Sequence, residues 1–323
     1  MNSIQIPQLY CPVETSINPF VHIVTNHTNQ WVQTFELHTG QSYEKYLGDN
    51  FGFMTARFYP FAPLEHLCLA NDINVLLFVM DDAMDNQIVK NDLITTRKKF
   101  EAFIATTLDI LHLPQEYNGE PTGVFAATLD VWKRLCVISN KRWQDNFILS
   151  IAKMFEAALW EFDNVASGRI PTVSEFYNKR QFLGAAHIST DMIPIIEQID
   201  LPEQLLSHPS IEELTVLARN AVCWANDLFS LSKEIIHGDQ HNMVFIMQAE
   251  KKLSLPQAIH QTAALHDTDM HKFMAISKEL PSFGAFDHSI SRYVRILGAI
   301  LKGNVDWSTA ETKRYDFSYI SAQ

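Results

Sequence analysis

From Leu64 to Met80 the chain is mainly apolar, and it then runs into Asp81-Asp82-Ala83-Met84-Asp85. The whole stretch, Leu64 to Asp85, reads as one buried helix with few polar interruptions. A helix of this kind must be surrounded by other apolar elements. The chain can supply them, since 47% of its residues are apolar and 21 are Phe, with enough left over to line a cavity. The most apolar run, Ile73 to Met80, is broken by Asn74. It is far shorter than the ~20 residues a bilayer requires, so no membrane insertion is expected.

Strand signals are sparse elsewhere and helix punctuation recurs. A second helix starts near Asn91 and carries Phe100, Phe103, Ile104 and Leu108 at three- and four-residue spacing. A long helical stretch runs from about Val124 to Ala166 and stops at Gly168. Thr172-Val-Ser-Glu175 and Ser210-Ile-Glu-Glu213 have the spacing of capping boxes, the second opening a run to His237 that ends at Gly238. Further helices are expected over Met243 to Lys251, Pro256 to Glu279 and His288 to Lys302. No repeat or linker interrupts the chain. The economical reading of its 323 residues is a single all-α domain, 1–323, with irregular ends at 1–20 and 316–323.

A formal charge of −12 argues against nucleic acid or an anionic membrane as partner, because both are bound through Lys and Arg. Cys11, Cys68, Cys136 and Cys223 are scattered without a CxxC pair, as expected of reduced thiols in a cytoplasmic protein. No secretory signal is read in Met1 to Pro19, which is polar and interrupted by Pro7 and Pro12.

Two constellations carry chemistry. On a helix, Asp81 and Asp85 share a face, and Asp82 lies three residues from Asp85. Carboxylates on one face repel one another unless a cation gathers them, and oxygen-only ligands suit a hard ion such as Mg²⁺. They also lie at a helix C-terminus, where they oppose the helix dipole. A solvated acidic turn is the competing reading. The second constellation is Asn226-Asp227-Leu228-Phe229-Ser230-Leu231-Ser232-Lys233-Glu234. At roughly 100° per residue, Asn226, Ser230 and Glu234 fall within about 80° of each other on one stripe. Apolar neighbours such as Trp224, Leu228 and Phe229 bury this segment, and buried polar groups need partners that a metal can provide.

Together, the DDxxD at 81 to 85 and the NDxxSxxKE at 226 to 234, 145 positions apart (226 − 81), resemble the class I terpene synthases of bacterial and fungal type. The resemblance extends over nearly the whole chain. It implies an all-α helical bundle around an apolar active-site cavity. It also implies three Mg²⁺ ions, held by Asp81 and Asp85 on one side and by Asn226, Ser230 and Glu234 on the other. Arg180, 46 residues before Asn226, resembles the family's diphosphate-sensing arginine. Gly184 stands at its effector position, a helix break whose main-chain carbonyl faces the substrate. The aspartate often found just before that position is Leu183 here. Arg314-Tyr315, preceded by Trp307, resembles the closing pair that hydrogen-bonds the diphosphate, whereas Arg292-Tyr293 is the same dipeptide without that context. Asn242-Met243-Val244 is also similar to the family's pattern.

The implied activity is the ionisation of a linear prenyl diphosphate, clamped by Arg180, Lys233, Arg314 and Tyr315, and cyclisation of the cation with release of diphosphate. Farnesyl diphosphate is the first choice and geranylgeranyl diphosphate the second. Phe78, Phe58, Tyr59 and Trp307 are candidate cavity aromatics. The alternatives are a chain-elongating prenyl diphosphate synthase, which would carry a second aspartate-rich motif in place of Asn226/Ser230/Glu234, and a non-catalytic isoprenoid-binding protein. Dimers are frequent in the family, so a homodimer is compatible with the resemblance. His266-Asp267 resembles metal-dependent hydrolases by dipeptide alone, lacks their other ligands in recognisable order, and is given no functional role.

Overall fold

The structure, a computed structural model, describes residues 4–85, 92–114 and 121–319, the side chains of 82–85 excepted. A short strand, β1 (Ile4–Ile6), precedes α1 (Val21–Thr34), α2 (Gly40–Asp49) and α3 (Phe51–Phe58). The apolar helix α4 (Leu64–Asp85) follows, with the bounds read from the sequence. The side chains of Asp82 and Asp85 lie outside the described residues. Next come α5 (Leu93–His112), whose N-cap Asp92 accepts from Thr95 N, and α6 (Gly123–Ile138). The long stretch expected over Val124 to Ala166 is two helices. Ser139 and Asn140 are extended, and Asn140 Oδ1 takes the Trp143 N–H to start α7 (Lys141–Ser167). Side-chain capping by Asn offers the backbone an exit from the helix that apolar periodicity does not register.

α7 ends at Gly168, which is left-handed at φ 66, and Thr172 then opens α8 (Val173–Leu183) with a reciprocal capping box to Glu175. Short helices α9 (Ala186–Asp191), α10 (Ile193–Ile196) and α11 (Glu203–Leu206) lead to α12 (Pro209–Phe229). The second expected capping box is not formed. His208 caps α12 and Pro209 takes the first helical position, so Ser210 and Glu213 lie inside the helix. The run to His237 breaks once, at Ser230, into α12 and α13 (Leu231–His237), which ends at Gly238 as expected. α14 (Met243–Lys251), α15 (Leu255–Lys278) and α16 (Asp287–Asp306) complete the helices, followed by a π turn over Trp307–Glu311 and β2 (Phe317–Tyr319). The ends are not wholly irregular, because β1 and β2 pair in parallel, Ile4 against Phe317.

α4 is enclosed by α1, α3, α6 and α10, and α12 by α8, α9, α14, α15 and α16. These two helices are the spines of the two apolar clusters, and the candidate site lies between them. All four cysteines are free thiols. Among the described residues, no helix is long and apolar enough to cross a membrane.

One buried carboxyl sets a pH dependence. Glu197, 1% exposed, accepts from Phe61 N at 3.1 Å through Oε1, while its Oε2 has no partner. Arg292 donates to its main-chain oxygen instead. Burial pushes the Glu197 carboxyl up to about 7 from 4.5. Between those pH values the folded chain holds a proton the unfolded chain has released, so stability falls as pH rises through the window, by about 3 kcal/mol in all. Urea unfolding at pH 5 and pH 8 is expected to show this loss in the wild type and a smaller one in Glu197→Gln. Equal losses in both proteins would assign the pH dependence to other groups.

Candidate active site

α4 and the α12–α13 pair face each other across a cavity of about 270 Å³. α4 lines it with Asn74, Leu77, Phe78 and, at the rim, Asp81; the other wall presents Asn226, Ser230, Lys233 and Glu234. The break at Ser230 does not scramble that stripe. Ser230 N donates to Asn226 O at 2.8 Å and Glu234 N to Ser230 O at 3.0 Å, so the four-residue register is kept. Ser230 Oγ donates to Glu234 Oε1 at 2.5 Å.

Asp227 turns the other way and is fully buried. Its Oδ1 accepts from Arg180 Nε at 2.8 Å and its Oδ2 from Met243 N at 2.9 Å. Arg180 Nη2 also donates to Asn226 Oδ1 at 2.8 Å. Burial works against the Arg180 charge, but Asp227, with Cys223 and Glu234, outweighs it and the net direction is up. Burial likewise pushes the Asp227 carboxyl up while Arg180 pulls it down. Both its oxygens meet N–H donors, so the ionised pair is the form this geometry fits. Asn242 Nδ2 reaches both Asp227 O (2.6 Å) and Glu234 Oε2 (2.7 Å), joining the two sides of the motif. Asp227 and Asn242 were visible in the sequence only at the motif's edge; here they hold its other members in place.

The C-terminal segment lies across this wall. Asn226 Nδ2 donates to the Tyr315 hydroxyl at 3.0 Å, Ser232 Oγ donates to Asp316 O, and Phe229 stacks on Phe317 at 4.8 Å. Arg314 Nη1 donates to Asp49 Oδ2 at 2.9 Å and its guanidinium lies 5.1 Å from the Phe78 ring. Asp49, buried at the end of α2, had no signal in the sequence. Trp307 donates Nε1 to Asp49 O (2.9 Å) and meets Tyr315 edge-on at 5.8 Å. Arg314, Tyr315, Trp307, Phe78 and Phe58 all line the cavity, whereas Tyr59 does not. Tyr59 is fully buried and donates its hydroxyl to Ser189 O at 2.7 Å. Arg292 and Tyr293 are elsewhere, bonded to Glu197 and Thr215. His266 binds Asp267 at 2.9 Å, and Asp267 in turn accepts from Tyr10 N at 2.8 Å, an anchor for the N-terminal segment.

The break between α8 and α9 falls at Gly184 and Ala185, both on the cavity wall. The left-handed residue is Ala185, at φ 52; Gly184 has an ordinary φ of −82. Glycine at 184 instead leaves room for a neighbouring side chain. A Cβ there would come within 2.4 Å of Arg180 Nη1 and 3.4 Å of Cys223 Sγ. Gly184→Ala is therefore expected to push Arg180 away from Asn226 and cost about 1–3 kcal/mol through overpacking. Steady-state kinetics should show kcat/KM down by about tenfold or more. Wild-type kinetics would mean that Arg180 can shift without consequence.

The fold is that of the class I terpenoid synthases. A crystal structure of a-eudesmol synthase superposes with a TM-score of 0.81 at 19% identity, over 93% of this chain and 98% of that one. The profile of terpene synthase family 2, C-terminal metal binding, matches residues 72–272. The (+)-T-muurolol synthase ((2E,6E)-farnesyl diphosphate cyclizing) of Roseiflexus castenholzii is 33% identical over 95% of this chain and 93% of its own. Germacrene A synthase of Nostoc punctiforme is 27% identical over 98% and 96%. The chain belongs to terpene synthase family 2, and is accordingly a metal-binding enzyme, a carbon–oxygen lyase.

The residues present fit a divalent cation. Among the described residues no group of three or more His, Cys, Asp or Glu gathers. The wall offers amide, hydroxyl and carboxylate oxygens instead, a donor set for a hard ion. Burial, and then Asp227, push the Glu234 carboxyl up to about 7. Its two hydrogen-bond donors, Ser230 and Asn242, are neutral, so a cation beside it would favour the ionised form.

Proposed function

We propose that this enzyme ionises farnesyl diphosphate and closes the resulting cation into a cyclic C15 hydrocarbon or alcohol, using three Mg²⁺ ions. The observation that carries this reading is one cavity mouth where Asp81 faces Asn226, Ser230 and Glu234, with Arg180, Lys233, Arg314 and Tyr315 around it. Asp81, Asp85, Asn226, Ser230 and Glu234 would hold the ions, which when bound neutralise the charge that develops on the leaving diphosphate. The choice of farnesyl over geranylgeranyl diphosphate is supported by the relative named as cyclising (2E,6E)-farnesyl diphosphate, the (+)-T-muurolol synthase.

The protein's own groups divide the work. Arg180, Lys233 and Arg314 present fixed positive charge where the leaving group accumulates negative charge. The Tyr315 hydroxyl accepts from Asn226, which leaves its own proton to donate to a diphosphate oxygen. Below the mouth, Phe78, Phe58 and Trp307 contribute aromatic surface to the cavity lining. Aromatic faces stabilise a nearby cation by about 0.5–2 kcal/mol each, and the apolar wall keeps water away from it. Relatives named as farnesyl diphosphate cyclases support cyclisation over chain elongation.

The test is incubation of the purified chain with Mg²⁺ and geranyl, farnesyl or geranylgeranyl diphosphate separately, then gas chromatography–mass spectrometry of a hexane extract. A cyclic C15 product from farnesyl diphosphate is expected, abolished by EDTA and restored by excess Mg²⁺. Longer diphosphates formed on addition of isopentenyl diphosphate would move the assignment to chain elongation.

A further inference from the structure

From Leu67 to Leu76 every residue of α4 is buried, yet this stretch carries Asn71, Asp72 and Asn74, which are 1%, 0% and 3% exposed. Polar groups so placed must find partners, and these find them in one directed chain. Asp72 is fixed first: Arg134 Nη2 (2.7 Å) and His27 Nε2 (3.1 Å) reach its Oδ2 from the surface side. Its Oδ1 takes the hydroxyl proton of Thr28 at 2.7 Å. That leaves the Thr28 oxygen to accept, and Asn71 Nδ2 donates to it at 2.8 Å. Asn71 is thereby turned with Oδ1 towards Thr55, whose hydroxyl proton it takes at 2.8 Å. The Thr55 oxygen accepts in turn from Asn74 Nδ2, again at 2.8 Å.

Each donor points towards Asp72, so the orientation of every amide is set by a carboxylate that can only accept. Hydrogen bonds aligned in series also polarise one another. The chain ends at Asn74, which lines the cavity. With Nδ2 committed to Thr55, the part of the amide left for the cavity is Oδ1. Asn74 lies two helical turns below Asp81, about 10 Å along the axis, beside the hydrocarbon part of a bound substrate and among Met54, Phe58 and Leu77. Asn304, the remaining amide on the wall besides Asn226 at the mouth, donates to Val222 O at 3.4 Å.

The geometry points to Asn74 Oδ1 as the group that stabilises positive charge within the cavity and so selects the cyclic product, with Thr55, Asn71, Thr28 and Asp72 as its positioning residues. This rests on the prenyl-cyclase reading above. A dipole held in place before the reaction does not have to reorganise as charge arrives. Its negative end lowers the energy of whichever cation puts its charge nearby, and later bond-forming steps are then biased towards that cation.

The test compares wild type, Asn74→Leu, Thr55→Val and Thr55→Ser as full chains with farnesyl diphosphate, reading product ratios per diphosphate released. Asn74→Leu and Thr55→Val are expected to change the ratio of the major product to the next in the same direction, by about fivefold or more. Thr55→Ser keeps the hydroxyl and is expected to keep the wild-type ratio. A merely structural role for Thr55 would not separate Val from Ser at equal melting temperature. Wild-type ratios in a folded Asn74→Leu, or identical ratios in Thr55→Val and Thr55→Ser, would overturn the assignment and leave the cyclase reading intact. A wild type that forms no cyclic product from any of the three prenyl diphosphates would overturn that reading and this one with it.

Discussion

Glu234→Gln is expected to lower kcat/KM for farnesyl diphosphate by about 10²–10³ or more, the scale seen when one group stabilising a developing anion is removed, while far-UV circular dichroism stays wild type. The substitution is nearly isosteric, and Gln can still take the Ser230 proton through its oxygen. What it removes is the negative charge that a metal-ligating role needs and, with its oxygen kept on Ser230, the acceptor that Asn242 Nδ2 meets at 2.7 Å. The fold should tolerate the change, because burial already disfavours the charged form of Glu234. Asn226→Ala is a second route to the same result, but a less clean one. Asn226 also accepts from Arg180 and donates to Tyr315, so its loss disturbs two neighbours. Full activity in Glu234→Gln at saturating and at limiting Mg²⁺ would remove this wall from metal binding.

Features of the site that depend on local spacing were legible in the sequence. The stripe Asn226–Ser230–Glu234 is a repeat of four and survives because the backbone bonds across Ser230 keep that register. The end of α4, the Thr172 capping box and the glycine ends at Gly168 and Gly238 are likewise encoded within a few residues. What was not legible depends on distant parts of the chain. Asp49 reaches Arg314 across 265 positions and Asp227 reaches Arg180 across 47. The β1–β2 pair joins the two ends, each only three residues long, too short for alternation to show. Gly184 stands at the helix break that the resemblance implies, yet its φ is ordinary and the constraint on it is a side chain from the preceding turn. The directed chain from Asp72 to Asn74 could not have been read at all, because it joins three helices through residues that in sequence are only polar interruptions of an apolar run.

Asp227→Ala is expected to be the most destabilising substitution at the site. It would leave the Arg180 guanidinium buried, 8% exposed, without its anion, and removing one partner of a buried ion pair costs about 3–5 kcal/mol. It also orphans the Met243 N–H that Asp227 Oδ2 accepts. For a chain of this size the melting temperature should fall by about 10 °C, and kcat/KM should fall with it as Arg180 loses its orientation. Asp227→Asn does not rescue the site. Its oxygen can satisfy Arg180, but its NH2 group then faces the Met243 N–H, donor against donor. The combination Arg180→Met with Asp227→Leu separates the two roles of the pair. Replacing both charges by apolar side chains of similar size is often neutral or stabilising, so much of the melting temperature should return, while turnover should not, because one of the three cationic side chains at the cavity mouth is gone. A double variant that recovers both stability and activity would reduce Arg180 to a packing role. An Asp227→Ala that melts with the wild type would mean that Arg180 finds water or another anion once its partner is removed.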